Sequence, residues 1–254
     1  MATVFRLLAP LVLPFIPVAS LGQEPDPLST GAVDRAEPRR PSIDYEFVGR
    51  LECKADIGTI ATTAILINDS RTVLTAAHFN FDEDSDRTIG PDRCRFFMRG
   101  PNNGIGFESQ IEELARGGDH TLNAFTSSTD WALLRLTTAA PPYAKPIDTG
   151  SGYDGNEATN VWFVDYASSH LNRSRQSAGQ ACFAEPIEHR FMLIAHQCET
   201  APGSSGGALV AQIDGTPTLV AIHTGRAKGK GIAIRIGGVL ARSIDKYAAR
   251  EKRL

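Results

Sequence analysis

The residue of this chain that is best placed to act as a nucleophile is a serine flanked by glycines. Ser205 lies in the run Gly-Ser-Ser-Gly-Gly at residues 203–207, and an apolar segment at 208–210 follows at once. This order favours a fixed turn that enters a strand over a flexible tether. Glycines let the backbone approach a ligand closely and adopt positive φ. Successive backbone N–H groups of such a turn can point at one spot, as a developing oxyanion requires.

Two further segments contain the groups that a serine nucleophile needs. A hydroxyl requires a base at neutral pH, and an imidazole is the side chain best suited to that role. The candidate base is His78, at the end of Thr-Ala-Ala-His (75–78). Asp130 opens the apolar segment 131–136, where a carboxylate is costly unless it finds donors such as an imidazole N–H. Taken singly, His78 could be a structural histidine and Asp130 a solvated residue at a strand end. Their occurrence together with Ser205 favours a joint catalytic role.

The three motifs, in the order His, Asp, Ser, resemble those of the trypsin/chymotrypsin-like serine proteases, and the resemblance extends over residues 47–247. It implies that Ser205 attacks a peptide bond, that His78 acts as the general base, and that Asp130 orients His78. The backbone N–H groups of Gly203 and Ser205 would bind the oxyanion. The implied fold is all-β, with two packed six-stranded antiparallel β-barrels.

The hydrophobic pattern by itself indicates an all-β barrel or sandwich, because short apolar runs alternate with Gly, Asn, Asp and Pro. The helical spacing of Leu240, Ile244 and Tyr247 predicts a short C-terminal helix. The candidate strands are residues 47–51, 64–67, 73–75, 94–98, 131–136, 181–183, 191–195, 208–210, 219–223 and 232–236.

The N-terminal residues have the pattern of a secretory signal. Residues 1–22 contain one arginine, an apolar run interrupted by prolines, and small residues at the end. A membrane anchor is the alternative, but roughly 12 apolar residues are fewer than the ~20 that a spanning helix needs. Residues 23–45 are expected to be a propeptide or a disordered linker. The N-terminal barrel would then occupy 46–142 and the C-terminal barrel with its helix 143–254, in a secreted or periplasmic protein.

Four cysteines are expected to be paired in an exported protein: Cys53, Cys94, Cys182 and Cys198. Three connectivities are possible. We prefer Cys53 with Cys94 and Cys182 with Cys198, because each bridge then stays inside one of the barrels that the resemblance implies. The cysteine that often follows the catalytic histidine in the family is replaced here by Phe79.

The net charge of −3 indicates neither nucleic acid nor an anionic membrane as a partner. The resemblance to serine proteases implies protein or peptide substrates, and we also expect a monomer and no cofactor. The cysteine and histidine spacing contains no zinc pattern, and no metal site is predicted. The acidic run 82–86 could hold Ca²⁺, but it lacks EF-hand spacing, and a solvated loop is favoured. The histidines without a motif partner are expected to be structural or exposed: His120, His170, His189 and His196.

Residues around the nucleophile give two indications of the substrate. Glu199 stands where trypsin-like enzymes place the acid that attracts Arg or Lys. Thr200 and His223 instead resemble the pocket of the bacterial glutamyl endopeptidases, although residues 207–208 depart from the Ser-Pro usual in those enzymes. Such a histidine would donate a charge-assisted hydrogen bond to a substrate carboxylate, most strongly when protonated. We predict a preference for Glu at the cleaved residue, with Glu199, Thr200 and His223 at the substrate pocket.

The residue before the nucleophile bears on activation. In the zymogens of trypsin-like enzymes, a freed N-terminal amine pairs with an aspartate at this position. The residue here is Ser204, which has no charge to offer an amine. We therefore expect the oxyanion-binding turn to form without an N-terminal ion pair.

Two classes of function fit these motifs: a secreted serine endopeptidase and a catalytically inactive, protease-like binding module. All three triad positions and the oxyanion glycine are occupied by the required residue types, which favours the enzyme. An esterase of the α/β-hydrolase type is disfavoured, because its motifs follow the order serine, acid, histidine.

Overall fold

The computed structural model describes residues 46–100, 104–118, 128–150, 157–166, 180–187, 190 and 192–251. These residues all lie in one compact unit, Glu37–Leu254, and the other unit, Met1–Ala36, falls outside the described residues. The signal at 1–22 and the linker at 23–45 lie outside them too and stay predictions. The division between residues 142 and 143 falls within the described residues and also stays a prediction.

The described part of the chain is mostly β-strand. Its single α-helix, α1 (Gly238–Glu251), comes last, and short 3-10 helices occupy Ala77–Asn80 and Pro91–Arg93. The strands are β1 (Val48–Lys54), β2 (Thr59–Leu66), β3 (Thr72–Thr75), β4 (Phe81–Asp82), β5 (Arg87–Thr88), β6 (Cys94–Arg99), β7 (Ile105–Arg116), β8 (Ala132–Leu136), β9 (Thr159–Val164), β10 (Gln180–Pro186), β11 (Leu193–His196), β12 (Ala208–Ile213), β13 (Thr216–Ala227) and β14 (Lys230–Arg235).

Two closed barrels account for these strands, apart from the small β4–β5 hairpin. The first barrel has the order β1-β2-β3-β8-β7-β6 and the second the order β10-β11-β14-β13-β12-β9. Neighbouring strands in both are antiparallel. The predicted fold, two six-stranded antiparallel barrels with a C-terminal helix, is confirmed. A closed barrel leaves no unpaired edge strand, so the loops at its ends have rigid supports.

Alternating burial explains why the apolar runs form barrel walls. In β6 the side chains of Cys94, Phe96 and Met98 are buried, whereas the intervening Arg95 and Phe97 are partly exposed. Residues of one strand that are two positions apart share a face, so every second side chain enters the core.

Two barrel strands, β7 and β9, were missing from the sequence-based prediction, as were the two short strands of the β4–β5 hairpin. β7 has a polar sequence in which Ser109 and Ile111 are buried among exposed glutamates, so its hydrophobic signal is weak. β9 ends in a continuous buried run, Val-Trp-Phe-Val, which is also compatible with a buried helix. Both strands are specified by their barrel neighbours rather than by alternation in their own sequence.

The predicted cross-links are present. The Cys53–Cys94 disulfide joins opposite positions of β1 and β6. The Cys182–Cys198 disulfide joins β10 to the segment that precedes the Gly-Ser-Ser-Gly-Gly turn. Both predicted pairings are confirmed, and each bridge lies inside one barrel.

The predicted helix is also present. Leu240 and Ile244 are buried, and the Tyr247 hydroxyl donates a hydrogen bond to the carbonyl of Leu114 in β7 at 2.6 Å. The last helix is thus tied to the first barrel. No helix among the described residues has the length and apolar character to span a bilayer.

Candidate active site

The first barrel positions His78 and Asp130, and the second positions Ser205. His78 lies in the 3-10 helix that directly follows β3, and Asp130 lies just before β8. Since β3 and β8 are antiparallel neighbours with Thr75 opposite Ala132, both side chains leave the sheet at the same end. Ser205 lies in the turn that enters β12.

These three predicted residues form a continuous chain of hydrogen bonds. The Nδ1 atom of His78 lies 2.8 Å from Asp130 Oδ2, and its Nε2 atom lies 2.8 Å from Ser205 Oγ. The other carboxylate oxygen of Asp130 accepts the backbone N–H of His78 at 3.1 Å. A carboxylate can only accept, so Nδ1 carries the imidazole proton and Nε2 accepts from the serine hydroxyl. The Asp130 side chain is fully buried, whereas 14% of the His78 side chain is exposed.

The backbone amides of the turn divide into bonded and unbonded groups. The amides of Ser204, Gly206 and Gly207 donate to protein carbonyls at 2.9, 2.7 and 2.8 Å. In the described part of the chain, the amides of Gly203 and Ser205 donate to no protein acceptor. The two amides predicted to bind an oxyanion are therefore those that the turn leaves available.

The turn packs too closely against the first barrel to tolerate a side chain at one position. Gly206 has φ +81°, and a Cβ atom there would lie 2.0 Å from the Thr63 carbonyl oxygen. Only glycine fits both the backbone conformation and the space.

The predicted pocket residues differ in exposure and contacts. His223 on β13 is 3% exposed, Thr200 is partly buried, and Glu199 is exposed. Arg226, two residues after the bulge in β13, donates from Nη1 to Thr200 Oγ1 at 2.8 Å and from Nη2 to the carbonyl of Gly229 at 3.0 Å. An arginine side chain therefore lies beside Thr200.

His223 forms a buried pair with His196. The His223 Nδ1 atom lies 2.9 Å from His196 Nε2, and both rings pack against Phe163. Burial holds the pKa of His223 well below its usual value, and the electrostatic influence of His196, His78 and Arg226 lowers it further. Burial and the charge of Arg226 lower the pKa of His196 to about 4. The lowered pKa values favour the neutral form of both rings at pH 7, so positive charge on His223 is disfavoured.

Two contributors were missed by the sequence analysis. His196 was expected to be structural or exposed because it has no motif partner, and the structure places it fully buried and hydrogen-bonded to His223. Arg226 follows His223 closely in sequence, but the bulge between His223 and Gly225 shifts the register that sets where its side chain lies. Neither contact has a sequence signal, because each depends on the pairing of strands. The other three histidines without a motif partner, His120, His170 and His189, lie outside the described residues.

The acidic run 82–86 forms the β4–β5 turn. The carboxylate of Asp82 accepts hydrogen bonds from the Asp84 amide at 3.2 Å and from Ser85 Oγ at 2.6 Å. Among the described residues, one group of three potential metal ligands lies close together: Cys182, His196 and Cys198. The two cysteines of this group are joined in a disulfide. Asp82 thus has a structural role in its own turn.

Comparison with known proteins identifies the family. A Glu endopeptidase structure is 13% identical, with a TM-score of 0.64 over 81% of this chain and 92% of that chain. A thermostable serine protease from an extremophilic microorganism is 14% identical, with a TM-score of 0.60 over 81% and 98%. At these identities the likeness concerns the fold alone, and no curated protein matches in sequence. The family model for the trypsin-like peptidase domain matches residues 62–222, more than half of the chain, so the chain belongs to the trypsin-like peptidase family.

Proposed function

We propose that this protein is a serine endopeptidase that acts through Ser205, His78 and Asp130. The observation that carries the proposal is the hydrogen-bonded chain Asp130–His78–Ser205 beside two unbonded amides. The same series of hydrogen bonds disfavours an inactive binding module, because a binding role does not require these side chains and amides to keep this geometry.

The proposed reaction proceeds through an acyl-enzyme. Ser205 Oγ attacks the carbonyl carbon of the scissile peptide while His78 Nε2 accepts the hydroxyl proton. The carbonyl oxygen becomes an oxyanion and accepts hydrogen bonds from the Gly203 and Ser205 amides. The imidazolium then protonates the leaving amine as the C–N bond breaks. Water, deprotonated by His78, then attacks the acyl carbon. The bond to Ser205 Oγ breaks, and the imidazolium returns the proton to that oxygen, which releases the carboxylic acid product. Asp130 stabilises the imidazolium in both steps.

We propose that the cleaved residue is acidic. Thr200 and His223 supply neutral hydrogen-bonding groups, and the Arg226 guanidinium beside Thr200 supplies a positive charge. Within the described part of the chain, two of its five N–H donors are bonded to protein atoms, and the remaining donors suit a substrate carboxylate. Glu199 is exposed, so a basic preference is not required by its presence. The two disulfides suit an oxidising compartment, which supports the proposal that the protein is exported.

An unbiased peptide mixture tests the substrate class. We expect wild-type protein to cut within peptides, after Glu in most cases, because the pocket offers one fixed cation and neutral hydrogen-bonding groups. Mass-spectrometric sequencing of the new termini identifies the cut sites, and Ser205→Ala protein prepared in parallel is the control. Cuts that persist with Ser205→Ala, or that follow Arg and Lys, would contradict the proposal.

A further inference from the structure

We propose that Thr63 and Asp165 are positioning residues that hold the turn 201–205 in its oxyanion-binding form from inside the protein. This inference rests on the proposed protease function. Ser204 has no charge to pair with an N-terminal amine, so hydrogen bonds with Thr63 and Asp165 hold the turn instead. The two residues contact the turn from the first and the second barrel, respectively.

Thr63 on β2 is fully buried and binds the turn at two points. Its backbone amide donates to the Ser205 carbonyl at 2.8 Å, and its hydroxyl donates to the Gly203 carbonyl at 2.8 Å. The same hydroxyl accepts the Tyr166 amide at 2.8 Å, so both its donor and an acceptor site are used. Rotation of this hydroxyl away from Gly203 would remove a hydrogen bond from the partly buried Gly203 carbonyl, which is unfavourable.

Asp165 is 3% exposed and directly follows β9. Its Oδ2 atom accepts a hydrogen bond from the Ser204 hydroxyl, which in turn accepts the Ala201 amide at 2.9 Å. A hydrogen bond to an ionised carboxylate is roughly twice as strong as a neutral one. The acidic side chain that supports the turn is therefore at residue 165, and residue 204 contributes a neutral hydroxyl.

These contacts fix the peptide planes on both sides of the Ser205 amide. In the peptide between Gly203 and Ser204, the carbonyl accepts from Thr63 and the amide donates to Ala201. In the peptide between Ser205 and Gly206, the carbonyl accepts from Thr63 and the amide donates to His223. The intervening amide of Ser205 can therefore hardly rotate, and Gly203, with φ +95°, is held next to it.

The expected effect falls on the chemical step rather than on substrate binding. Oxyanion donors bind charge that develops only in the transition state, and removal of one such donor costs about 10²–10³-fold in kcat. A donor that is misaligned loses part of that effect. We therefore expect Thr63→Val and Ser204→Ala each to lower kcat about 10- to 100-fold and to leave KM within about twofold.

Thr62→Val is the matched control. Thr62 is adjacent on β2, only 5% exposed, and its hydroxyl has no hydrogen-bond partner among the described residues. We expect this variant to resemble wild type, and Thr63→Ser, which keeps the hydroxyl, to recover most of the activity that Thr63→Val loses. If Thr63→Val fails to fold, Ser204→Ala and Asp165→Asn test the same turn from the second barrel.

The experiment combines active-site titration with inhibition by a peptide aldehyde, whose tetrahedral adduct carries an oxyanion. Across the variants, kcat per titrated site and affinity for the aldehyde should fall in proportion. Unchanged kcat per titrated site in Thr63→Val and Ser204→Ala, even at lower melting temperature, would mean a merely structural role and would overturn the inference. An equal loss in Thr62→Val would also overturn it. A wild-type protein that cannot be titrated would refute the protease proposal itself, and this inference with it.

Discussion

Ser205→Ala and His78→Ala should each lower kcat about 10⁶-fold, because removal of the nucleophile or the base disables a triad as a unit. Asp130→Asn should cost about 10⁴-fold, since an amide can hold the imidazole in the wrong tautomer. The expectation follows from the distances of 2.8 Å on both sides of the His78 ring. Initial rates on a chromogenic peptide measure the effect.

Non-additivity is the control for this first prediction. The double variant Ser205→Ala/His78→Ala should be no slower than either single variant, because the remaining group has no partner to act on. Circular dichroism should report an unchanged fold for Ser205→Ala, since the substitution removes one partly exposed hydroxyl. Turnover of Ser205→Ala within about tenfold of wild type would exclude the assigned nucleophile.

Arg226→Gln should lower kcat/KM about 10- to 100-fold for a substrate with Glu at the cleaved residue and leave the matching Gln substrate little changed. A hydrogen bond to a charged group contributes about 1.5–3 kcal/mol, and only the Glu substrate offers a carboxylate to the Arg226 guanidinium. Arg226→Lys should retain part of the preference, because the charge remains but the planar fork is lost. Kinetics on the substrate pair give the ratio directly.

Arg242→Gln is the control, since Arg242 is an exposed arginine on α1. It removes the same charge from the protein but should not alter the ratio of Glu to Gln cleavage. If the ratio falls equally in both variants, the preference arises from net charge. If it is unchanged in Arg226→Gln, the role given to Arg226 is wrong.

The pH dependence of that ratio separates Arg226 from His223 as the source of charge. Burial holds the pKa of His223 well below its usual value, so the ring is neutral between pH 8 and pH 6 and gains no charge in that range. Arginine is charged throughout. The ratio of Glu to Gln cleavage should therefore stay flat from pH 8 to pH 6, whereas a ratio that rises as the pH falls towards 6 would mean that His223 becomes protonated.

The sequence predicted those parts of the molecule that depend on local patterns. Short apolar runs separated by turn residues, such as the run at 94–98, indicated the walls of the barrels, and the spacing of Leu240, Ile244 and Tyr247 indicated the helix. The positions of His78, Asp130 and Ser205 came from the resemblance to a family. Their mutual distances follow from the barrel order, which places strands that are distant in sequence side by side.

The contacts that the sequence could not predict link separate strands through single atoms. The Ser204 hydroxyl donates a hydrogen bond to Asp165, which precedes it by 39 residues, and the hydrogen-bonded His196 and His223 are 27 residues apart. Arg226 was overlooked because a bulge in β13 sets the position of its side chain. The residues next to each of these polar groups in the sequence form no motif. The role of each group depends on which strands pair in the fold and on how deeply its side chain is buried.

Labelling with a fluorophosphonate tests the central claim most directly, because the reagent phosphonylates a serine that an adjacent base activates. Peptide mapping of the labelled wild-type protein should find one modified residue, Ser205, and His78→Ala protein should react far more slowly at the same site. Modification of a different residue, or labelling of Ser205 at the wild-type rate in His78→Ala, would contradict the assignment of Ser205 as a nucleophile that His78 activates.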